Sequence, residues 1–114
     1  IDDDRECLES LVTALRLNGF DVRSFDSPDR AIHQYNPQTV DVVITDYHLP
    51  GTTGTEILEE IQRKKAAAPV IIISGDPKKN IKTLSLQAGA YAFFRKPLNI
   101  KKIIAKIKRL PISR

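Results

Sequence analysis

One cysteine, Cys7, stands in this sequence, so no internal disulfide can form, and no cluster of Cys and His has the spacing of a zinc site. Methionine is absent and the chain opens on Ile1, which reads as a fragment of a longer polypeptide or a set of ordered residues. No apolar run approaches the ~20 residues that a membrane-spanning helix needs, and no signal-peptide pattern opens the chain. These absences predict a reducing, cytoplasmic setting without membrane association. Acidic residues are absent from the last stretch. Residues 95–114 hold eight Lys/Arg and no Asp or Glu, whereas residues 1–94 hold all 14 acids and the other ten bases. Two readings of that basic end are open: the solvated face of a last helix, or a contact for nucleic acid or an acidic partner.

At 114 residues the chain is one domain with a single core. Its organising stretch is Val40-Asp41-Val42-Val43-Ile44-Thr45-Asp46-Tyr47-His48-Leu49-Pro50-Gly51-Thr52-Thr53-Gly54. The β-branched run predicts a strand buried on both faces of a parallel sheet. It stops at Asp46, then a Pro/Gly turn leads into a helical pattern of Ile57, Leu58 and Ile61. A carboxylate at that strand end sits where open α/β sheets bind ligands; the plainer reading is an Asp that merely opens a loop.

The remaining pattern alternates helix and strand. Ile1 reads as the end of a first strand whose earlier residues lie upstream. Leu8, Leu11, Val12 and Leu15 predict a helix stopped by Gly19. Phe20 to Phe25 predicts a second strand, and Ser27-Pro28 caps a short helix that ends by Pro37. After the organising strand come a helix over 55–65, a buried fourth strand in Val70 to Ile73, and a helix from Pro77 to Gln87. A fifth strand over Tyr91 to Arg95 and a helix capped by Asn99, with Ile100, Ile103, Ile104 and Ile107 on one face, complete the chain. Such alternation predicts an α/β, flavodoxin-like, doubly wound parallel sheet of five strands in the order 2-1-3-4-5, with helices on both faces.

In that architecture the carboxyl ends of the strands converge. Asp2 and Asp3 follow strand one, Asp46 ends strand three, Ser74 ends strand four and Lys96 ends strand five. Close carboxylates repel, and burial worsens the repulsion. A hard cation such as Mg²⁺ relieves it through oxygen ligands, while a lysine and a hydroxyl alongside suit a phosphoryl group. Each residue also has a separate structural reading: helix-start acids, a turn serine, a surface lysine.

At these residues the chain resembles the response-regulator receiver domain of two-component signalling, over nearly its whole length (residues 1–114 as one domain). Asp2-Asp3 is similar to the family's acidic pair, and Asp46 with Pro50, Gly51 and Gly54 downstream is similar to its phosphoacceptor loop. Ser74-Gly75 resembles the hydroxyl position and the small residue after it. Lys96-Pro97 resembles the lysine–proline pair, Phe93 the switch aromatic, and Gln87-Ala88-Gly89-Ala90 the turn before the fifth strand. The resemblance implies that Asp46 accepts a phosphoryl group from a sensor histidine kinase or histidine phosphotransfer protein. It implies Mg²⁺ on Asp3, Asp46 and the His48 backbone carbonyl, with Asp2 acting through water. Lys96 and Ser74 then contact the phosphoryl oxygens, and Ser74 and Phe93 form the switch. His48 and Asp76 occupy the positions that tune phosphoryl lifetime, and the Lys96–Pro97 bond is expected to be cis. The chain is expected to be a switch that catalyses its own phosphorylation and dephosphorylation, not a stand-alone enzyme. A homodimer through the face of helix 4, strand 5 and helix 5 is implied as an option, with nucleic acid reached through an output domain elsewhere.

Other classes stay in view. A haloacid-dehalogenase-like phosphotransferase uses similar groups but wants a second Asp where His48 stands. A flavodoxin wants hydroxyls after strand one, where three acids lie. A degenerate receiver acting only as an interaction module would not need the intact acidic pair, Asp46, Ser74 and Lys96.

Overall fold

The computed structural model describes residues 1–111; Arg114, the last base of the basic end, lies outside the described residues. In chain order the elements are α1 (Arg5–Leu17), α2 (Pro28–Gln34), β1 (Val43–Asp46), β2 (His48–Leu49), β3 (Thr52–Thr53), α3 (Gly54–Gln62), β4 (Val70–Ser74), α4 (Lys79–Gln87), β5 (Ala92–Arg95) and α5 (Ile100–Lys108).

The β-branched runs become parallel strands in the order β1-β4-β5. Asp46 lies beside Ile73, and Ser74 beside Arg95. All five residues of the central strand β4 are buried, because helices cover both faces. Successive side chains in a strand point to opposite faces. Ile71 and Ile73 therefore join Leu11 and Leu15 of α1 and Ile103, Ile104 and Ile107 of α5. Val70 and Ile72 join Ile57, Leu58 and Ile61 of α3 and Ile81 of α4. Each such aliphatic side chain contributes about 1.5–3 kcal/mol by leaving water. Four of the five described helices start at side-chain caps: Asp4 accepts from the Cys7 N–H, Ser27 from Arg30, Thr53 from Glu56 and Asn99 from Lys102, each satisfying an otherwise orphaned donor; α4 has no such cap.

The amino group of Ile1 donates to the Ile44 carbonyl at 2.6 Å, and the Asp46 N–H donates to the Ile1 carbonyl at 2.8 Å. On the other side the Asp2 N–H donates to the Phe25 carbonyl at 3.1 Å. Ile1–Asp2 thus lies between Phe25 and β1, which is the expected spatial order 2-1-3-4-5.

Several sequence expectations need correction. Among the described residues the parallel sheet has three laddered strands, not five. Phe20 to Phe25 is not a ladder strand, because a ladder needs partners for successive residues and Ile1–Asp2 offers too few. Phe20 and Val22 still pack on the α1/α5 core. Helix α3 stops at Gln62, short of residue 65, and α4 starts at Lys79, since Asp76 Oδ1 accepts from the Lys78 N–H at 2.9 Å and holds residues 76–78 in a turn. The antiparallel pair β2–β3 was not legible in the pattern. It encloses Pro50-Gly51, and Gly51 has φ of 75°, which fits a type II turn with Pro then Gly at its centre. The Lys96–Pro97 bond is cis, as the resemblance implies.

Candidate functional site

The strand ends build one acidic crevice. Asp2 and Asp46 are buried at 1% and 7% exposure, while Asp3 is exposed. Carboxylate oxygens of all three lie within 4.8 Å of one another. Lys96, the residue immediately after β5, reaches across the rim. Its Nζ donates to Asp2 Oδ2 at 2.9 Å and to Asp46 Oδ2 at 3.1 Å. Its stem passes over Gly75, where an added Cβ would lie 3.7 Å from Lys96 Cδ.

Glycine is required behind Asp46. A Cβ at Gly54 would sit 2.7 Å from the Asp46 carbonyl oxygen, and the Gly54 N–H donates to the Tyr47 carbonyl at 2.6 Å. The start of α3 is thereby pressed against the backbone that carries the Asp46 carboxylate.

The electrostatics follow from this crowding. Burial and then the charge of Asp2 raise the Asp46 pKa above the ordinary 3.8. Burial would raise Asp2 as well, but its hydrogen bonds with Lys96 and the Asp4 N–H outweigh that and hold it below 3.8. Burial would lower Lys96; its bond to Asp2 and the charge of Asp46 more than offset this and raise it. Lys96 is therefore a firmly protonated cation held between the buried Asp2 and Asp46 carboxylates. Burial, then Asp2, pushes the neighbouring Cys7 thiol up to about 11, so Cys7 is no nucleophile here.

The donor set is oxygen only, two of its carboxylates are buried, and its negative charge exceeds what Lys96 neutralises. Those residues fit a hard divalent cation such as Mg²⁺.

Ser74 is fully buried, and its Oγ accepts from the Asp76 N–H at 3.0 Å. Phe93 is half-buried against the α3/α4 core, with the Arg95 guanidinium 5.4 Å from its ring centroid. His48 and Asp76, both expected at lifetime-tuning positions, are joined: Nε2 and Oδ2 are 2.7 Å apart. Sequence reasoning missed Arg95, which looked like the last residue of a strand. Its Nη1 donates to the Asp76 carbonyl at 2.8 Å and its Nη2 to the Lys78 carbonyl at 3.4 Å. No local signal marks it, since its partners come from another loop.

Comparison with known proteins agrees with this geometry. The family model described as "Response regulator receiver domain" matches residues 1–108, and the chain belongs to that family. A transcriptional regulatory protein CpxR homolog of Haemophilus influenzae is 34% identical over 96% of this chain and 48% of its own length. The C4-dicarboxylate transport transcriptional regulatory protein DctD of Rhizobium meliloti is 29% identical over 96% of this chain and 24% of its own length. The chain thus spans about half, or a quarter, of these curated relatives. A response regulator receiver domain protein from Clostridium thermocellum superposes with a TM-score of 0.87 at 28% identity, covering 94% of this chain and 86% of that one. The fold is the flavodoxin-like α/β fold of receiver domains, and the chain is a receiver domain of the two-component type.

Proposed function

We propose that Asp46 is the phosphoacceptor of this receiver domain. The observation that carries the reading is Lys96 Nζ within hydrogen-bond distance of both Asp2 and Asp46, beside Asp3. An Asp46 carboxylate oxygen attacks phosphorus of a phosphohistidine on a histidine kinase or phosphotransfer protein. The new O–P bond forms as the P–N bond breaks, and the imidazole leaves with the electron pair. Lys96 first orients the carboxylate and then pairs with a phosphoryl oxygen, and Ser74 donates its hydroxyl to another. Such charge-rich displacement is catalysed by positioning and neutralisation. Asp3 and Asp46, with the His48 carbonyl and with Asp2 through water, would hold Mg²⁺, which supplies neutralisation of phosphoryl charge when bound. Hydrolysis of the acyl phosphate releases inorganic phosphate and resets the switch.

Ser74 moving toward the phosphoryl group leaves room for Phe93 to turn inward, which changes the surface around α4, β5 and α5. That surface is the proposed site of signalling contacts, including a homodimer. The relatives named as transcriptional regulatory proteins support a role for this receiver domain in controlling an output function. The setting proposed is the cytoplasm; among the described residues no helix is long and apolar enough to cross a membrane.

The test is intact-mass measurement after acetyl phosphate with Mg²⁺. The wild type gains one phosphoryl group and Asp46→Asn gains none. Equal gain by the mutant would refute the assignment of Asp46.

A further inference from the structure

Asp76 is a junction between loops that meet beyond the crevice. Its N–H donates to Ser74 Oγ at 3.0 Å, its Oδ1 accepts from the Lys78 N–H at 2.9 Å, its Oδ2 meets His48 Nε2 at 2.7 Å, and its carbonyl accepts from Arg95 Nη1 at 2.8 Å. β1 and β4 are neighbours in parallel. The side chains two residues beyond Asp46 and two beyond Ser74 therefore close the gap between their exit loops. We propose that Arg95 is a positioning residue: its guanidinium holds the β4–α4 loop where Asp76 latches onto His48, and this latch restrains access to the phosphoryl group on Asp46. The proposal rests on the reading of Asp46 as phosphoacceptor.

The geometry favours a fork over a point charge. Arg95 contacts two carbonyls, those of Asp76 and Lys78, and at the same time lies over the Phe93 ring. A guanidinium meets those demands together, whereas an ammonium on a flexible stem does not. The latch acts on rate and contributes little to stability. The His48 side chain is 56% exposed, and exposed polar contacts contribute little to folding. Asp76, at 14% side-chain exposure, is the covered member, held from four directions.

The experiment follows inorganic phosphate release from the acyl phosphate of the intact protein after the donor is removed. His48→Asn and Asp76→Asn are each expected to speed release by a few-fold, up to about tenfold, the equivalent of about 1.4 kcal/mol in the barrier. Arg95→Ala is expected to speed it by a similar factor although Arg95 reaches neither Asp46 nor Lys96. Arg95→Lys should not restore the wild-type rate. The double variant Arg95→Ala/His48→Asn should be no faster than the faster single variant, because both open one latch. Melting temperatures should stay within a few degrees of wild type. A wild-type rate in Arg95→Ala, or multiplying effects in the double variant, would overturn the proposal. A second readout needs no phosphorylation: Arg95→Ala should shift the ring resonances of His48 and leave those of His33 in place. Unmoved His48 resonances overturn the latch even if the wild type takes up no phosphoryl group, an outcome that would separately overturn the phosphoacceptor reading.

Discussion

Lys96 and Asp2, 94 residues apart in sequence, meet at 2.9 Å with only 2% of the Asp2 side chain exposed. The pair lies at the rim of the sheet beside Asp46. Asp2 is held below the ordinary 3.8 by this contact. The stability it contributes is therefore complete above pH 3.8 and is lost as pH falls through the lower folded-state value. In metal-free buffer the stability difference between wild type and Asp2→Asn should be constant near neutrality and shrink below pH 3.8. Denaturant midpoints at a series of pH values measure it, and a difference unchanged down to pH 2 would argue against the ion pair.

Asp46 carries the opposite sign. Its folded-state pKa is raised, so its ionised form costs stability at neutral pH. Asp46→Asn should raise the melting temperature by a few degrees in metal-free buffer at pH 7. The gain should fade as pH drops through the raised value toward 3.8. A lower melting temperature in the mutant would mean that the carboxylate is not under strain.

Asp3 is the exposed member of the cluster. Adding Mg²⁺ should raise the melting temperature of the wild type by mass action, and chelation should reverse it. Asp3→Asn should lose most of that rise while leaving the metal-free melting temperature nearly unchanged. A full Mg²⁺ response in Asp3→Asn would remove this residue from the ligand set.

Gly54 has no room for a methyl group, since its Cβ would lie 2.7 Å from the Asp46 carbonyl. Gly54→Ala is expected to cost about 1–3 kcal/mol, the usual scale for forcing atoms into packed space, and to slow phosphoryl uptake by tilting Asp46. Urea unfolding together with uptake kinetics checks both halves. An unchanged midpoint would show that the turn yields.

Residues 77–111 contain no Asp or Glu, so α4, β5 and α5 present cations alone. A two-fold interface brings a patch onto its own copy, and like charges would then face each other. Any dimer through this surface should therefore tighten as salt rises and screens the repulsion. Sedimentation at two ionic strengths measures it; a dimer that loosens with salt would have to use another face.

Local pattern determined which stretches are helices and buried strands, and the family resemblance added Phe93, His48 and Asp76 to the candidate residues. Val70 to Ile73 is legible because a run of β-branched residues has few stable places outside a covered sheet, and the Ser27, Thr53 and Asn99 caps because orphan N–H groups demand acceptors. Asp2, Asp3, Asp46, Ser74 and Lys96 were legible because parallel strands put their carboxyl ends on one rim. Tertiary structure decided what pairing and distance control. Phe20 to Phe25 has strand composition yet lacks a ladder, since hydrogen bonds need a neighbour that composition does not specify. The His48–Asp76 contact and the Arg95 fork depend on where the β4–α4 loop turns. That turn is set by hydrogen bonds between backbone and side chain: the Asp76 N–H to Ser74 Oγ, the Lys78 N–H to Asp76 Oδ1, and Arg95 Nη1 to the Asp76 carbonyl. The pKa values of Asp2 and Asp46 diverge for the same reason: two aspartates identical in sequence terms differ once burial and one lysine are distributed between them.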